Sequence, residues 1–343
     1  MKKTIISGIG LVNRAGISTD ELWEHLCGKE LPSEQEDATA FKVKLPSSKL
    51  RRFNRYSKMA LYASMEAWEE AGNLEETDPF RRGTIFTTGY GAMVSHLKFC
   101  EEVANGSPDA CSPTVFTGIV PNSCVGTVCM FLKCKGVSTV LMGGNHLEYS
   151  KLLLENGNAD FILTGAVEEY SQDLFEALAE EPAARGADIA EGCAVFCMEP
   201  GGEKTGYCTV ERTGTAGLFG FPLLTVVDPE ESSAGIEELL RDYDGEQPDF
   251  VFCSSNGTYF DEIEEKILRS RYPEENIIKG VKSITGETIG CGFSMNVAAA
   301  ALCLKHGYIP AALSGRDADI SAEKILVTGF DTAGNYMICV LGK

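Results

Sequence analysis

The sequence predicts a layered α/β fold: two similar βα halves stacked as α/β/α/β/α, with a site where they meet. Three observations carry this. Short, β-branched apolar runs alternate with helical patterns along all 343 residues. A polar, turn-rich stretch, Pro200-Gly201-Gly202-Glu203-Lys204, divides the chain, and the pattern restarts after it. ADFILTG and CAVFCME before that divide echo KILVTGF and YMICVLG at the end of the chain. The halves are expected at residues 1–200 and 205–343.

The chain opens with MKKTIISGIGLVNRAG. Its apolar run is short and interrupted by Gly8, Gly10 and Asn13, so residues 4–7 read as a core strand and not as a signal peptide. Gly8-Ile9-Gly10 is not a dinucleotide fingerprint, because Asn13 stands where the third glycine is required and no helix starts there. The first helix starts at Ser18, with Glu21 completing a capping box. Residues 56–71 form an amphipathic helix stopped by Gly72, and residues 82–88 a strand running into Gly89-Tyr90-Gly91. Residues 117–133 read as a buried helix beginning after Pro121-Asn122.

The most informative stretch is residues 135–166: strand, glycine turn, helix, strand. STVLM at 138–142 is expected to be a buried strand, Gly143-Gly144 the turn and Asn145 the N-cap. Leu147, Tyr149, Leu152, Leu153 and Leu154 give the helix an apolar face, and Gly157 ends it. Such a turn suits a nucleophile or an oxyanion site, and equally a plain helix–sheet joint. Residues 189–199 form the strand closing the first half. In the second half, strands are expected at 208–211, 250–253, 277–281, 324–328 and 336–341, and helices at 235–241, 261–271 and 294–305.

Apolar residues make up 44% and aromatics 9%, a globular composition. No apolar run approaches the ~18–20 residues of a membrane span. Thirteen cysteines, many in apolar segments, suggest buried thiols in a reducing cytosol, hence a cytoplasmic protein. Cys124, Cys129 and Cys134 step by five, about 140° apart on a helix, so they share no face as metal ligands, and there is no CxxC pair. No metal or cofactor is expected. A formal charge of −20 argues against nucleic acid and anionic membrane as partners. Lys49, Arg51, Arg52, Arg55 and Lys58 form the main basic cluster, either a solvated helix face or a docking patch for an acidic partner.

Several segments, in order over nearly the whole chain, resemble the β-ketoacyl synthase family of the thiolase-like fold. They are SGIGLVNRAG, KLRRFNRYSKMALYASMEAWEEAG, FTTGYGAM, IVPNSCVGTVCMFLKCKG, NADFILTGAVE, AEGCAVFCME, KGVKSITGETIGCGF and GFDTAGN. In active members of that family a cysteine at the strand-to-helix turn takes the acyl chain as a thioester. Two histidines from the second half then stabilise the oxyanion formed on decarboxylation. Here all three positions depart. The turn reads VLMGGNH, places Met142, Gly143 and Gly144 there, and is a few residues short. The first histidine falls on Asn256 of NGT and the second on Glu287 of ITGET, while the family's lysine is kept as Lys282.

Glycine or methionine cannot form an acyl-enzyme. Asn256 could still donate a hydrogen bond to an acyl or carboxylate oxygen. An ionised Glu287 would repel an enolate, and is expected to pair with Lys282. His146 follows the turn, with Ser138 and Ser150 nearest in sequence, and reads more readily as a structural histidine than as a base. Cys193, Cys253 and Cys291 read as small buried residues. Asn335 reads as a backbone brace, and Phe330 matches a pocket-lining aromatic of the family and could contact a bound acyl chain.

The resemblance therefore implies a ketosynthase-like partner without condensing activity, similar to chain-length factors, in a homodimer or a heterodimer with an active ketosynthase. An acyl carrier protein could dock on the basic cluster. The alternatives are an acyltransferase, decarboxylase or thioesterase of changed chemistry on carrier or coenzyme A thioesters, built on His146, Asn256, Lys282 and Glu287, and a scaffold homodimer that binds no acyl chain. The dimer is expected through buried central strands.

Overall fold

Every residue of β1 (Thr4–Val12) is buried, and Gly8 and Gly10 explain how. A Cβ on Gly10 would overlap the carbonyl oxygen of Ala63, and one on Gly8 that of Ala67. The backbone of a helix lies directly on the strand there, a contact only glycine permits. The computed structural model describes residues 3–32, 41–72, 74–106, 112–202, 206–241 and 247–343. Glu203 and Lys204 of the expected linker lie outside these.

After β1 come α1 (Thr19–Leu26), α2 (Ser47–Leu50), α3 (Arg55–Ala71), β2 (Arg82–Thr88), α4 (Met93–Asn105), α5 (Pro113–Phe116) and α6 (Ser123–Leu132). The unit β3 (Ser138–Met142), α7 (His146–Glu155), β4 (Phe161–Glu168) follows, then α8 (Gln172–Glu180) and β5 (Gly192–Pro200). Beyond the divide are β6 (Cys208–Gly217), α9 (Pro229–Arg241), β7 (Phe250–Phe252), α10 (Phe260–Arg269), β8 (Ile277–Ile278) and α11 (Val281–Thr285). The chain ends with α12 (Gly292–His306), β9 (Tyr308–Ile309), α13 (Ala311–Ser314), β10 (Ile320–Ser321), β11 (Lys324–Phe330) and β12 (Asn335–Gly342).

Ten strands are hydrogen-bonded in the order β3-β2-β4-β5-β1-β6-β12-β11-β7-β8. Read outwards from the centre, β1-β5-β4-β2-β3 and β6-β12-β11-β7-β8 are the same sequence of antiparallel and parallel pairs. β1 and β6 pair only over Thr4–Ile6 against Val210–Cys208. Alternate residues of each strand feed different cores. On β5, Cys193, Val195 and Cys197 join α3 and α6, while Ala194, Phe196 and Met198 face α7 and α12. On β12, Met337, Cys339 and Leu341 face the same two helices, while Ile338 and Val340 pack with α9 and α10. Five layers result, with α7 and α12 in the middle.

Several elements differ from expectation. β3 is the end strand of the sheet, not a buried one, and Met142 is 52% exposed. On α7 only Leu147 and Leu154 of the expected face are buried; Leu152 is 53% exposed. The segment 117–133 becomes helical only at Ser123, and Met130 stands in solvent. The strand expected at 277–281 pairs only at Ile277 and Ile278, and Val281 starts α11. The central strands β1 and β6 are already paired within the chain on both sides; the end strands of the sheet are β3 and the two-residue β8.

His146 is structural. It is 1% exposed and stacked near Phe196. Its Nδ1 lies 2.9 Å from Thr164 Oγ1 and its Nε2 2.7 Å from Ser294 Oγ. A neutral imidazole donates at one nitrogen and accepts at the other, so it satisfies both hydroxyls and ties α7 to β4 and α12. Burial lowers its pKa from the ordinary 6.5 to about 3.

Two outcomes follow. Gly10→Ala should lower the urea-unfolding free energy by about 3 kcal/mol, because the strand must move off α3. Gly126→Ala, on a face of α6 with open space, should be neutral or stabilising by up to about 1 kcal/mol. For His146, the unfolded chain takes up the proton that the buried ring refuses as pH falls below 6.5, so stability is lost between pH 6.5 and about 3. Buried Glu168 and Glu169, pushed up to about 8 and about 7, act with the opposite sign. The His146 contribution is therefore the difference between wild type and His146→Gln. That difference should shrink by roughly 2 kcal/mol between pH 7.5 and pH 5.

Candidate functional site

The loop after β7 is shaped by Asp261 on α10. Its carboxylate accepts from the N–H of Asn256 (3.0 Å) and Gly257 (2.8 Å) and from the Ser255 hydroxyl (2.9 Å). Gly257 takes φ +87° and backs onto Gly186, where a side chain has no room. Asn256 Oδ1 accepts from the Thr258 N–H and hydroxyl, which fixes the carboxamide. Its Nδ2 then donates to Glu287 Oε2 at 2.7 Å. Lys282 Nζ donates to the same oxygen at 2.6 Å, and Glu287 Oε1 accepts from the Ile289 N–H at 2.8 Å. Lys282 is 5% and Glu287 1% exposed. The lysine ammonium also lies 4.8 Å from the ring centre of Phe330.

The pairing expected of Lys282 and Glu287 is thus present, and it uses the lone donor group of Asn256 as well. Asn256 was read as able to donate to an acyl or carboxylate oxygen; here its Nδ2 donates to its own chain's Glu287 carboxylate. Arg14, which the sequence reading passed over, holds the lysine-bearing helix. Its Nε donates to Ile284 O (2.9 Å) and its Nη2 to Ser283 O (2.6 Å), at the C-terminal, electronegative end of α11, and Nη1 pairs with Asp188.

The strand-to-helix turn sits between the last strand's hairpin and β2. Gly143 and Gly144 have φ +81° and +101°, and the Gly143 N–H donates to Thr88 O at 3.0 Å. Asn145 caps α7, accepting from the Glu148 N–H. The turn carries no nucleophilic side chain, and His146 is turned into the brace described above. Asn335, read from sequence as a backbone brace, donates through Nδ2 to the side chain of Asp331. Phe330 is 3% exposed and stands edge-on to Phe260 at 4.9 Å, so its ring is core packing and touches only Lys282 of the cluster. Burial pushes the thiols of Cys193, Cys253 and Cys291 well above their ordinary range, the opposite of an activated nucleophile.

Glu168, on the strand after α7, braces the matching glycine turn of the first half. It accepts from the Thr88 hydroxyl at 3.0 Å and from the N–H of Gly89 and Tyr90. Burial raises its pKa to about 8, against those donors, which lower it. Neither Glu168 nor Asp331 was singled out from sequence, although both lie inside motifs quoted there.

On the surface, Lys49, Arg51 and Arg52 are exposed and form no ion pair among the described residues. Arg55 is engaged with Glu191 and lies over Phe41, and Lys58 is half-buried. Lys49, Arg52, Phe53, Met130, Phe131 and Lys133 border a groove of about 1180 Å³.

No protein-family model matches the chain. An oxytetracycline polyketide β-ketoacyl synthase of Streptomyces rimosus is 24% identical over 375 residues, covering 93% of this chain and 88% of that protein. The ishigamide ketosynthase/chain length factor superimposes with a TM-score of 0.80 at 18% identity, covering 100% of this chain and 99% of the other. A ketosynthase (ApeO) in complex with its chain length factor (ApeC), from Xenorhabdus doucetiae, gives 0.78 at 15% identity over 99% and 98%. With its five layers and its relatives spanning nearly its whole length, the chain has the thiolase-like fold of these ketosynthases and is similar to the β-ketoacyl synthase family from end to end.

Proposed function

We propose that the chain is a non-condensing member of this family, acting in fatty-acid or polyketide-type biosynthesis as the chain-length-factor-like partner of an active ketosynthase. One observation carries the reading. Lys282 and Asn256, at the positions of the family's lysine and first histidine, both donate to Glu287, at the position of the second. A soft nucleophile at Met142, Gly143 or Gly144 is missing as well. The alternative of an acyltransferase, decarboxylase or thioesterase loses its candidate base, since His146 is buried between Thr164 and Ser294.

The partner surface in this reading is the β3 edge. Its backbone is unpaired on one side among the described residues, Met142 at its end stands exposed, and Tyr149 and Leu152 are exposed on the helix that follows it. An apolar edge strand left open invites pairing with another chain. Lys49, Arg51 and Arg52 would meet an acidic carrier protein, with Arg55 and Lys58 contributing less because they are engaged or half-buried. The division into halves 1–200 and 205–343 and the cytoplasmic location belong to the same proposal. They are supported by the repeated strand order and by buried free thiols.

The test is intact-protein mass spectrometry of the purified chain mixed with malonyl- and acyl-thioesters of coenzyme A and carrier protein. Neither a covalent adduct nor thioester loss is expected; turnover that disappears on changing Asn256 or Glu287 would establish the enzyme reading instead. The interface is tested by Leu152→Glu. It should leave the melting temperature of the isolated chain within about 2 °C of wild type, as a surface change. It should weaken association with a co-expressed ketosynthase at least about tenfold, the effect of burying a charge at an apolar contact.

A further inference from the structure

We propose that Asp331 is an internal ligand: its carboxylate takes the anion position at the turn into α7, where a substrate's acyl or carboxylate oxygen would bind, and closes that turn to acyl groups. The inference rests on the non-condensing reading above and adds a second, separate lock to it.

Gly144 immediately precedes Asn145, the N-cap of a ten-residue helix, so its N–H lies beside the helix's electropositive end, where negative charge is favoured. In this chain the Gly144 N–H donates to Asp331 Oδ2 at 2.5 Å. The same carboxylate accepts at Oδ1 from the N–H of Ala333 (2.8 Å) and of Asn335 (3.1 Å). Asn335 Nδ2 reaches both oxygens, at 3.2 and 2.9 Å. Asp331 is 2% exposed and forms no ion pair among the described residues. Amide groups alone hold it, as they would hold a bound carboxylate.

The space is filled too. A Cβ built on Gly143 would stand 2.5 Å from Ala333 Cβ and 2.9 Å from Asp331 Oδ2. A side chain at this turn and the hairpin from Phe330 to Asn335 therefore exclude one another. Restoring a cysteine at Gly143 would not restore an acyl site while Asp331 and Ala333 remain.

The test uses the full chain, glycine-labelled for 1H–15N spectroscopy, and sodium acetate as the probe. In wild type the Gly144 amide should exchange slowly with solvent and should not shift with acetate. In Asp331→Ser it should exchange at least about tenfold faster, the loss of one hydrogen bond to a charged group, and should shift saturably as acetate fills the vacated position. A fast-exchanging wild-type Gly144 amide that follows acetate overturns the proposal, as does a folded serine variant whose amide stays silent. Should the serine variant not fold, Asp331→Asn keeps the shape and removes the charge; an unchanged Gly144 exchange rate in it overturns the proposal equally. Acylation of the wild-type chain elsewhere would sink the non-condensing reading while leaving an occupied Gly144 amide in place, so the two ideas fail separately.

Discussion

From Gly292 to Leu304 every residue of α12 is buried. A helix enclosed on all sides has no polar face to orient it, and this one is correspondingly small and apolar, with Ala298 to Ala301 in its middle. The constraint comes from the strands. Each half of the sheet is apolar on both faces, so both faces must be covered. α7 and α12 cover the inner faces of both halves at once, and α3, α6, α9 and α10 remain for the outside. Small side chains let α12 lie close to strands of both halves. His146 adds the polar tie, accepting and donating between Thr164 and Ser294 where water has no access.

The site residues inherit their positions from this arrangement. Glu287 lies just before α12 and Lys282 on the short helix before that, held by Arg14 from the loop after β1. A buried carboxylate costs several kcal/mol unless it is paired and hydrogen-bonded. Glu287 meets that demand with Lys282, Asn256 and the Ile289 N–H. Asp331 meets it with amides, one of them from the turn before α7. In both places donors of the same chain meet the buried carboxylate, so no buried negative charge is left without hydrogen bonds.

Much of the site was legible. Lys282 and Glu287 stand five residues apart across a Thr-Gly turn, close enough that opposite charges should meet, and they do. Asn145 announced the start of α7, and Gly72 the end of α3. Other features were not legible for a physical reason. STVLM is apolar whether its strand lies mid-sheet or at an edge, because periodicity records side-chain character and not the number of neighbouring strands. Leu152 and Leu154 are identical residues, one exposed and one buried. Asp331 stood unremarked within GFDTAGN, since nothing local shows which distant amide a carboxylate will accept from.

The sequence by itself determined the alternation of strands and helices, the lack of a cysteine from Lys135 to Gly192, and the likeness between the strands of the two parts of the chain. These are properties of local pattern and of residue identity, which a linear chain displays. Tertiary structure alone decided that β1 and β6 join in the middle of the sheet, that β3 lies at one of its ends, that His146 is a brace, and that Asp331 closes the turn before α7. Each of those depends on groups far apart in the chain, 187 residues for Gly144 and Asp331, which only folding brings within hydrogen-bond distance.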